Sequence, residues 1–130
     1  MKYDLNGYWV NVHKNPKHEE IFELVHIKQN DHKIKLEIEQ YKNNSVTKFY
    51  GKGIIKNNSV MAYYYGLKHS GVFAFNICYD SYNHYFLDGE YIEDSDVNFR
   101  IVTRDVNHYT LKRTKLNIFE HIKLCLSNNK

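Results

Sequence analysis

Eight histidines are the side chains of this 130-residue chain that could most readily carry metal or acid–base chemistry. They are His13, His18, His26, His32, His69, His84, His108 and His121. A zinc site on a helix needs two histidines about one turn apart, as in H-E-x-x-H, and no pair here has that spacing. The histidines also fall in turns and on different predicted strands. The sequence therefore predicts no metal site.

Acidic side chains could supply a second kind of chemistry. We interpret the run Glu93–Asp96 as a solvent-exposed loop, because a calcium loop needs a longer ligand series with a glycine and a terminal glutamate. Asp88 and Glu90 lie on either side of Gly89, on one face of a predicted strand. Paired carboxylates can act as general acid and base. The outward face of a strand explains them more simply.

Motifs for nucleophilic attack or phosphate binding are absent from the sequence. There is no G-x-S-x-G turn, and Gly51-Lys52-Gly53 is not followed by a predicted helix that could cradle a phosphate. Cys78 and Cys125 lie far apart, which is typical of reduced thiols in a cytoplasmic protein. We therefore expect a protein that is not an enzyme and has no cofactor.

The elements that must position any site are short strands. In Lys33–Tyr41, the clearest of them, Ile34, Leu36 and Ile38 alternate with charged residues, so one face is buried. Nearly all six glycines sit inside or beside such runs, where a glycine marks a bend, a bulge or a close approach. Turns recur about every 8–12 residues. The pattern predicts an all-β fold, a small antiparallel up-and-down barrel of about eight strands.

The whole chain, 1–130, reads as one domain, with strands over about 5–113 and a short amphipathic helix over about 116–126. The predicted strands are Leu5–His13, Glu19–Gln29, Lys33–Tyr41, Thr47–Lys56, Ser59–Gly66, Gly71–Tyr79, Tyr85–Ile92, Val97–Thr103 and His108–Arg113. Asn57-Asn58 predicts a tight turn that tolerates positive φ. We expect the helix to cover one flank or one mouth of the barrel.

Composition limits the partners. The formal net charge is +3, from 18 Lys and Arg against 15 Asp and Glu. This mild basicity permits an anionic ligand but does not predict binding to a DNA or RNA polymer. No apolar run approaches the ~20 residues of a transmembrane helix, and the first residues do not resemble a signal peptide. We expect a cytoplasmic location, with any membrane contact made through helices outside this chain.

Two distant residues are expected to close the barrel. If the first and last strands are neighbours, Arg113 can lie flat on the Trp9 indole in a cation–π contact. Gly7-Tyr8-Trp9 together with this late arginine resembles the lipocalin and fatty-acid-binding (calycin) superfamily, in which a G-x-W strand meets an arginine near the end of the barrel. The resemblance implies that Trp9 and Arg113 have a structural role in closure.

The predicted ligand site is an aromatic and basic lining. Tyrosine is a costly way to fill a core, because each buried hydroxyl needs a hydrogen-bond partner, so twelve tyrosines favour a polar, partly wet cavity. Rings stack on bases, and guanidinium groups bind phosphates. The predicted ligand contacts are Tyr63, Tyr65, Phe73, Tyr91, Arg100, Arg104 and Lys112. A register shift of one residue would turn Tyr64 inward instead of Tyr63 and Tyr65.

These residues lead to a second resemblance. The chain resembles the β-barrel sensing domain of two-transmembrane antiviral effectors from bacterial cyclic-oligonucleotide (CBASS-type) defence. The resembling segments are Leu5-Asn6-Gly7-Tyr8-Trp9, Tyr50-Gly51-Lys52-Gly53-Ile54, Asn58 to Tyr65, Ser70-Gly71-Val72-Phe73, Asp88-Gly89-Glu90-Tyr91 and Tyr109-Thr110-Leu111-Lys112-Arg113. The resemblance implies a cyclic dinucleotide ligand, self-association on binding, and membrane helices that this chain does not contain. The chain would then be the cytosolic domain of an inner-membrane protein or a stand-alone relative.

Three functions follow as hypotheses. The first is a non-enzymatic cyclic-dinucleotide sensor with ligand-linked self-association. The second is a lipocalin-like carrier of a small apolar or amphipathic ligand, and the third is an interaction module with a filled core. A sensor needs positive groups at its cavity, whereas a lipid carrier needs mostly aliphatic walls such as Ile34, Leu36 and Ile38.

Overall fold

The computed structural model describes residues 3–14, 20–42, 45–79, 84–95, 107–115, 117, 120–122 and 124, with only the backbone at 12–14, 93–95 and 107–109. Eight strands make up the fold. They are β1 (Gly7–Lys14), β2 (Glu20–Asn30), β3 (Lys33–Lys42), β4 (Ser45–Lys56), β5 (Ser59–Tyr65), β6 (His69–Tyr79), β7 (Tyr85–Ser95) and β8 (Asn107–Thr114).

The strands form a closed antiparallel barrel in which each strand pairs with the next and β8 pairs back with β1. The closing pair is short and places Trp9 opposite Arg113. The predicted all-β, up-and-down barrel is therefore confirmed. Closure leaves no free sheet edge among the eight strands, which removes the unpaired backbone groups that an open sheet would expose.

The predicted loop over Glu93–Asp96 is wrong for the part that the structure describes. Residues 93–95 end β7, and they pair with His69, Ser70 and Gly71 at the start of β6. The reason is backbone pairing. The first residues of β6 provide hydrogen-bonding partners for residues 93–95, and this pairing stabilises a strand although the side chains of the segment are polar. The predicted strand Val97–Thr103 lies outside the described residues.

Close strand contacts explain several of the glycines. A Cβ on Gly89 would lie 1.9 Å from the carbonyl oxygen of Ala74, and a Cβ on Gly71 would lie 2.5 Å from the hydroxyl of Tyr64. Only a residue without a side chain allows these approaches. At the turns, Asn57 has a φ of 57°, as expected from the Asn57-Asn58 pair, and Asp31 has a φ of 56°.

The barrel interior holds the larger of two hydrophobic clusters. Its buried members are Tyr3, Leu5, Trp9, Val25, Ile27, Ile34, Leu36, Ile38, Phe49, Ile55, Val60, Ala62, Tyr64, Phe73, Phe75, Ile77, Leu87 and Leu111, with Tyr85 and Tyr91 packed against them. These residues come from all eight strands and from the segment before β1. A single inward face therefore runs around the whole barrel.

The second cluster lies on the outer wall, by which we mean the face of the sheet that points away from the interior. Leu24 and Tyr41 are buried there and are packed by Tyr8, Val10, Phe22, Val46 and Ile122. Residues 117, 120–122 and 124 are helical, so a short C-terminal helix is present. Because Ile122 contacts this cluster, the helix covers a flank of the barrel.

None of the described helical residues belongs to a helix that is long and apolar enough to cross a membrane.

Candidate ligand-binding site

The two ends of the barrel differ in chemistry. The plugged end is where β1 begins and β8 ends. There Trp9 is fully buried, its Nε1 donates to the carbonyl oxygen of Leu5 at 3.0 Å, and the Arg113 guanidinium lies 4.7 Å from its ring centroid. The predicted contact between Trp9 and Arg113 is confirmed.

The segment before β1 completes the plug. Arg113 donates a hydrogen bond to the carbonyl oxygen of Asp4, and Gln29 Oε1 accepts from the backbone of Leu5 at 2.7 Å. Side-chain and backbone hydrogen bonds from Asn6, together with the nearby Arg113 charge, lower the pKa of Asp4 below its ordinary value of 3.8. Every one of these groups is engaged within the protein, so this end serves closure.

A cluster of three tyrosines flanks the plug. The Tyr79 and Tyr85 rings meet edge to face at 5.0 Å, and Tyr3 lies 5.8 Å from Tyr85. Desolvation, with hydrogen bonds and repulsion from Tyr85 and Tyr3, raises the pKa of Tyr79 to about 12. The cluster therefore favours the neutral phenol over a wide pH range.

The opposite end, which we call the polar end, carries polar side chains inside the barrel. The strand registers place Asn11 beside Glu23 and Glu23 beside Gln40. Asn11 and Glu23 are buried, at 6% and 7% exposure. Gln40 Nε2 donates to Glu23 Oε2 at 2.9 Å, and Asn11 Nδ2 donates to the carbonyl oxygen of Thr110 at 2.7 Å.

This polar group was missed from the sequence, although a signal was present. Asn11 follows Trp9 by two residues, Glu23 precedes Val25 by two, and Gln40 follows Ile38 by two. Each polar residue therefore falls in the inward phase of its strand. Burying a polar side chain at an inward-facing strand position costs desolvation free energy. Such a residue therefore usually has a structural or functional role.

An aromatic wall lines the same half of the interior. The Tyr64 ring lies 4.6 Å from Phe73 and 5.6 Å from Phe49, and Phe73 lies 6.1 Å from Tyr91. Tyr64 and Phe73 are buried and Tyr91 is half-buried. Phe73 and Tyr91 thus face inward, the side on which a ligand contact was predicted.

The predicted inward orientation of Tyr63 and Tyr65 is wrong. Both point outward, with exposures of 50% and 47%, and Tyr64 takes the inward position. The alternation of β5 is set by Val60 and Ala62, which belong to the interior cluster. Gly51 and Gly71 are the register partners of Tyr64, and Gly71 leaves space for its ring.

Lys112 is the one basic residue of the predicted site that lies among the described residues, and it is not in the interior. Lys112 is exposed, and its register partners are Val10 and Phe86 on the neighbouring strands. Arg100 and Arg104 lie outside the described residues. Within the described part of the chain, no group of three or more histidine, cysteine or acidic residues is placed to hold a metal ion, and Cys78 is a free thiol.

The outer wall over β2–β6 contains a groove of about 1020 Å³. Its lining includes Lys33, Lys35 and Lys52 with the apolar side chains of Ile54 and Met61. The groove is open to solvent along the sheet. Most of the side chains that line it, among them Lys33, Lys35, Lys52, Met61 and Tyr63, are exposed on the outer face, whereas Ile34, Ala62 and Phe73 border it from the interior cluster.

Comparison with protein-family models, with curated proteins and with solved structures gives no match to this chain. The class of this protein is therefore defined by the geometry of its fold and of its two barrel ends. The protein is a closed eight-stranded antiparallel barrel with a tryptophan–arginine plug at one end and buried polar groups near the other.

Proposed function

We propose that this barrel is a non-enzymatic sensor that binds a cyclic dinucleotide at the polar end of its interior. The observation that carries the proposal is the buried group of Asn11, Glu23 and Gln40 in the same half of the barrel as the aromatic wall of Tyr64, Phe73 and Tyr91. Aromatic faces and hydrogen-bonding edges are the two features by which proteins recognise a nucleobase.

The side-chain chemistry suggests which part of the ligand enters. Side-chain amides can both donate to and accept from a base edge, and a carboxylate accepts from amino and imino groups. Glu23 therefore favours a base that presents N–H donors, such as guanine or cytosine. The rings of Phe73 and Tyr91 can stack on the base or meet it edge to face.

The phosphates of such a ligand must lie away from Glu23, because a buried carboxylate repels another anion. The proposal therefore places them toward the barrel opening, at the ends of β1 and β7. Arg100 and Arg104 come between β7 and β8 in the sequence. Their role as phosphate partners remains a prediction from sequence.

Ligand-linked self-association and a role in anti-phage defence are part of the same proposal. Their support is the resemblance of the strand motifs to sensing barrels of bacterial antiviral effectors. A genomic neighbour that encodes a nucleotidyltransferase would strengthen this part of the proposal independently of any binding assay.

A second candidate is a lipocalin-like carrier of a small apolar or amphipathic ligand. The observation in its favour is the aliphatic part of the interior, where Ile34, Leu36 and Ile38 are all buried on one strand. A fatty-acid carboxylate would be disfavoured near Glu23 for the same reason as a phosphate. An uncharged apolar ligand would not.

A thermal-shift panel of cyclic dinucleotides, cyclic trinucleotides and fatty acids tests the proposal. A ligand at 100 times its dissociation constant should stabilise the fold by about 2.7 kcal/mol. Glu23→Gln should abolish the shift with the preferred nucleotide. Glu90→Gln, which neutralises an exposed carboxylate, should leave it unchanged.

The outcomes separate the candidates. A shift with apolar ligands alone would favour the carrier and overturn the sensor. No shift with any cyclic nucleotide would also overturn the sensor. Urea unfolding of Glu23→Gln without ligand shows whether the variant folds, and Tyr91→Ala gives a second variant that tests the stacking contact.

A further inference from the structure

Three exposed tyrosines are neighbours on the outer wall, apart from the interior site: Tyr63 and Tyr65 follow each other along β5, and Tyr50 lies opposite Tyr65 on β4. Tyr50, Tyr63 and Tyr65 are 47%, 50% and 47% exposed. The Tyr63 and Tyr65 rings are 6.4 Å apart and 25° from parallel, and the Tyr50 and Tyr65 rings are 6.2 Å apart. Because both side chains are about half exposed, their rings are accessible to bases, and the first spacing is roughly twice the ~3.4 Å repeat of stacked bases.

Lysines lie directly beside these rings. The register of β3, β4 and β5 places Lys35, Lys52 and Tyr63 side by side in one row across the sheet. Lys33 pairs with Ile54 in the next row on the same face. All three lysines are exposed. We call Lys33, Lys35, Lys52, Tyr50, Tyr63 and Tyr65 the outer-wall patch.

The electrostatic balance of the groove is one-sided. Four lysines line it, at positions 28, 33, 35 and 52, and no acidic residue occurs among the described residues that line it. Lys28 forms an ion pair with Glu37 at 3.1 Å, which leaves the three lysines of the patch as its main positive charge. An anionic partner is therefore favoured.

The floor of the groove is apolar and exposed. Ile54, Met61 and Val72 are 45%, 61% and 42% exposed. Aromatic rings, apolar contacts and cations together suit unpaired bases joined by phosphates. A duplex hides its base faces and offers mainly phosphates, so it would use only the lysines.

We propose that the outer-wall patch binds single-stranded nucleic acid. Tyr50 and Tyr65 do not line the groove but extend the aromatic surface beyond it, so the surface is longer than a single nucleotide requires. Lys33, Lys35 and Lys52 are separated in the sequence and do not belong to a run of basic residues. The sheet brings them together, which is why overall charge did not predict a polymer partner.

Fluorescence anisotropy with a labelled oligothymidylate of about ten nucleotides tests this inference. The unmodified protein should bind at low salt and release the strand as salt rises. The double variant Tyr63→Ala, Tyr65→Ala should bind at least about thirtyfold more weakly, because two stacking contacts are lost. Circular dichroism confirms that the variants keep their strands.

Charge is tested by matched neutralisations. Lys35→Gln with Lys52→Gln should reduce the slope of log affinity against log salt by about 1.4, since each phosphate contact on a single strand contributes about 0.7. Lys112→Gln with Lys115→Gln removes the same charge from exposed positions outside the patch and should leave the slope nearly unchanged. A duplex of equal length should compete poorly.

Four results would overturn the inference. These are no binding at low salt, equal loss in the two lysine pairs, full binding by the double tyrosine variant, and strong competition by the duplex. Sedimentation adds a fifth. A dimer that the tyrosine variant dissociates, in a protein that does not bind the oligonucleotide, would assign the patch to a second copy of the chain.

Discussion

The guanidinium of Arg113 lies 4.7 Å from the centroid of the Trp9 indole, and the two residues face each other directly across the pairing of β1 with β8. The contact joins the first and last strands. It also links to the segment before β1, because Arg113 donates to the carbonyl oxygen of Asp4. One side chain thus contributes to both strand closure and the plug.

Arg113→Ala should lower the free energy of unfolding by about 1 kcal/mol. A cation–π contact contributes about 0.5–2 kcal/mol, and the exposure of this guanidinium places it in the lower part of that range. Urea unfolding followed by Trp9 fluorescence measures the change. Lys112→Ala, the neighbouring exposed cation, should stay within about 0.5 kcal/mol of the parent, and equal losses in both variants would contradict the assigned role.

Gly89→Ala should destabilise the fold by about 1–3 kcal/mol or more, the cost of forcing atoms into a packed site. The new Cβ would lie 1.9 Å from the Ala74 carbonyl oxygen and 2.7 Å from the Phe75 Cα. Both are backbone atoms, so no side-chain rotation relieves the clash. Ala74→Ser, an exposed substitution on the same strand pair, is the control, and chemical denaturation compares the two.

Ile122→Ala should detach the C-terminal helix from the outer wall at a cost of about 1 kcal/mol, because Ile122 is half-buried against the Leu24 and Tyr41 cluster. Leu124 gives a matched control, since it is 59% exposed. Leu124→Ala should therefore change stability by less than about 0.5 kcal/mol. Urea unfolding measures the stability of both variants, and amide hydrogen exchange measures the protection of the helix. If the two variants give the same results, the helix does not dock through Ile122.

The pKa of Tyr79, raised to about 12 from an ordinary 10.0, predicts a loss of stability at alkaline pH. The folded state retains the phenolic proton longer than the unfolded state does. The contribution is therefore complete below pH 10 and is lost as pH rises toward about 12. Tyr79→Phe should remove this part of the pH slope, which unfolding titrations across that window can detect. An unchanged slope would show that other groups cause the loss.

Much of the barrel could be predicted from local pattern. Ile34, Leu36 and Ile38 alternate with charged residues, and this alternation marked β3 and its buried face correctly. The same reasoning located the Asn57 turn and the closing pair of Trp9 and Arg113. These features depend on side-chain periodicity, on turn chemistry or on strand order, all of which are visible in the chain itself.

The candidate site was less predictable. Tyr63, Tyr64 and Tyr65 are all aromatic, so no alternation of apolar and polar residues marks which of them faces inward. The sequence therefore could not identify the inward residue. Partners on neighbouring strands decided it, and Gly71 leaves room for the Tyr64 ring. The buried Asn11, Glu23 and Gln40 were likewise too far apart in sequence to be recognised as one group.

The sequence by itself determined that this protein is a barrel of short antiparallel strands, because alternation and turns are local properties of the chain. Only the tertiary structure decided which face each tyrosine occupies, that three polar residues meet inside one end, and that separated lysines share one wall. Those outcomes depend on register between strands, and register is fixed by contacts between residues that are distant in sequence.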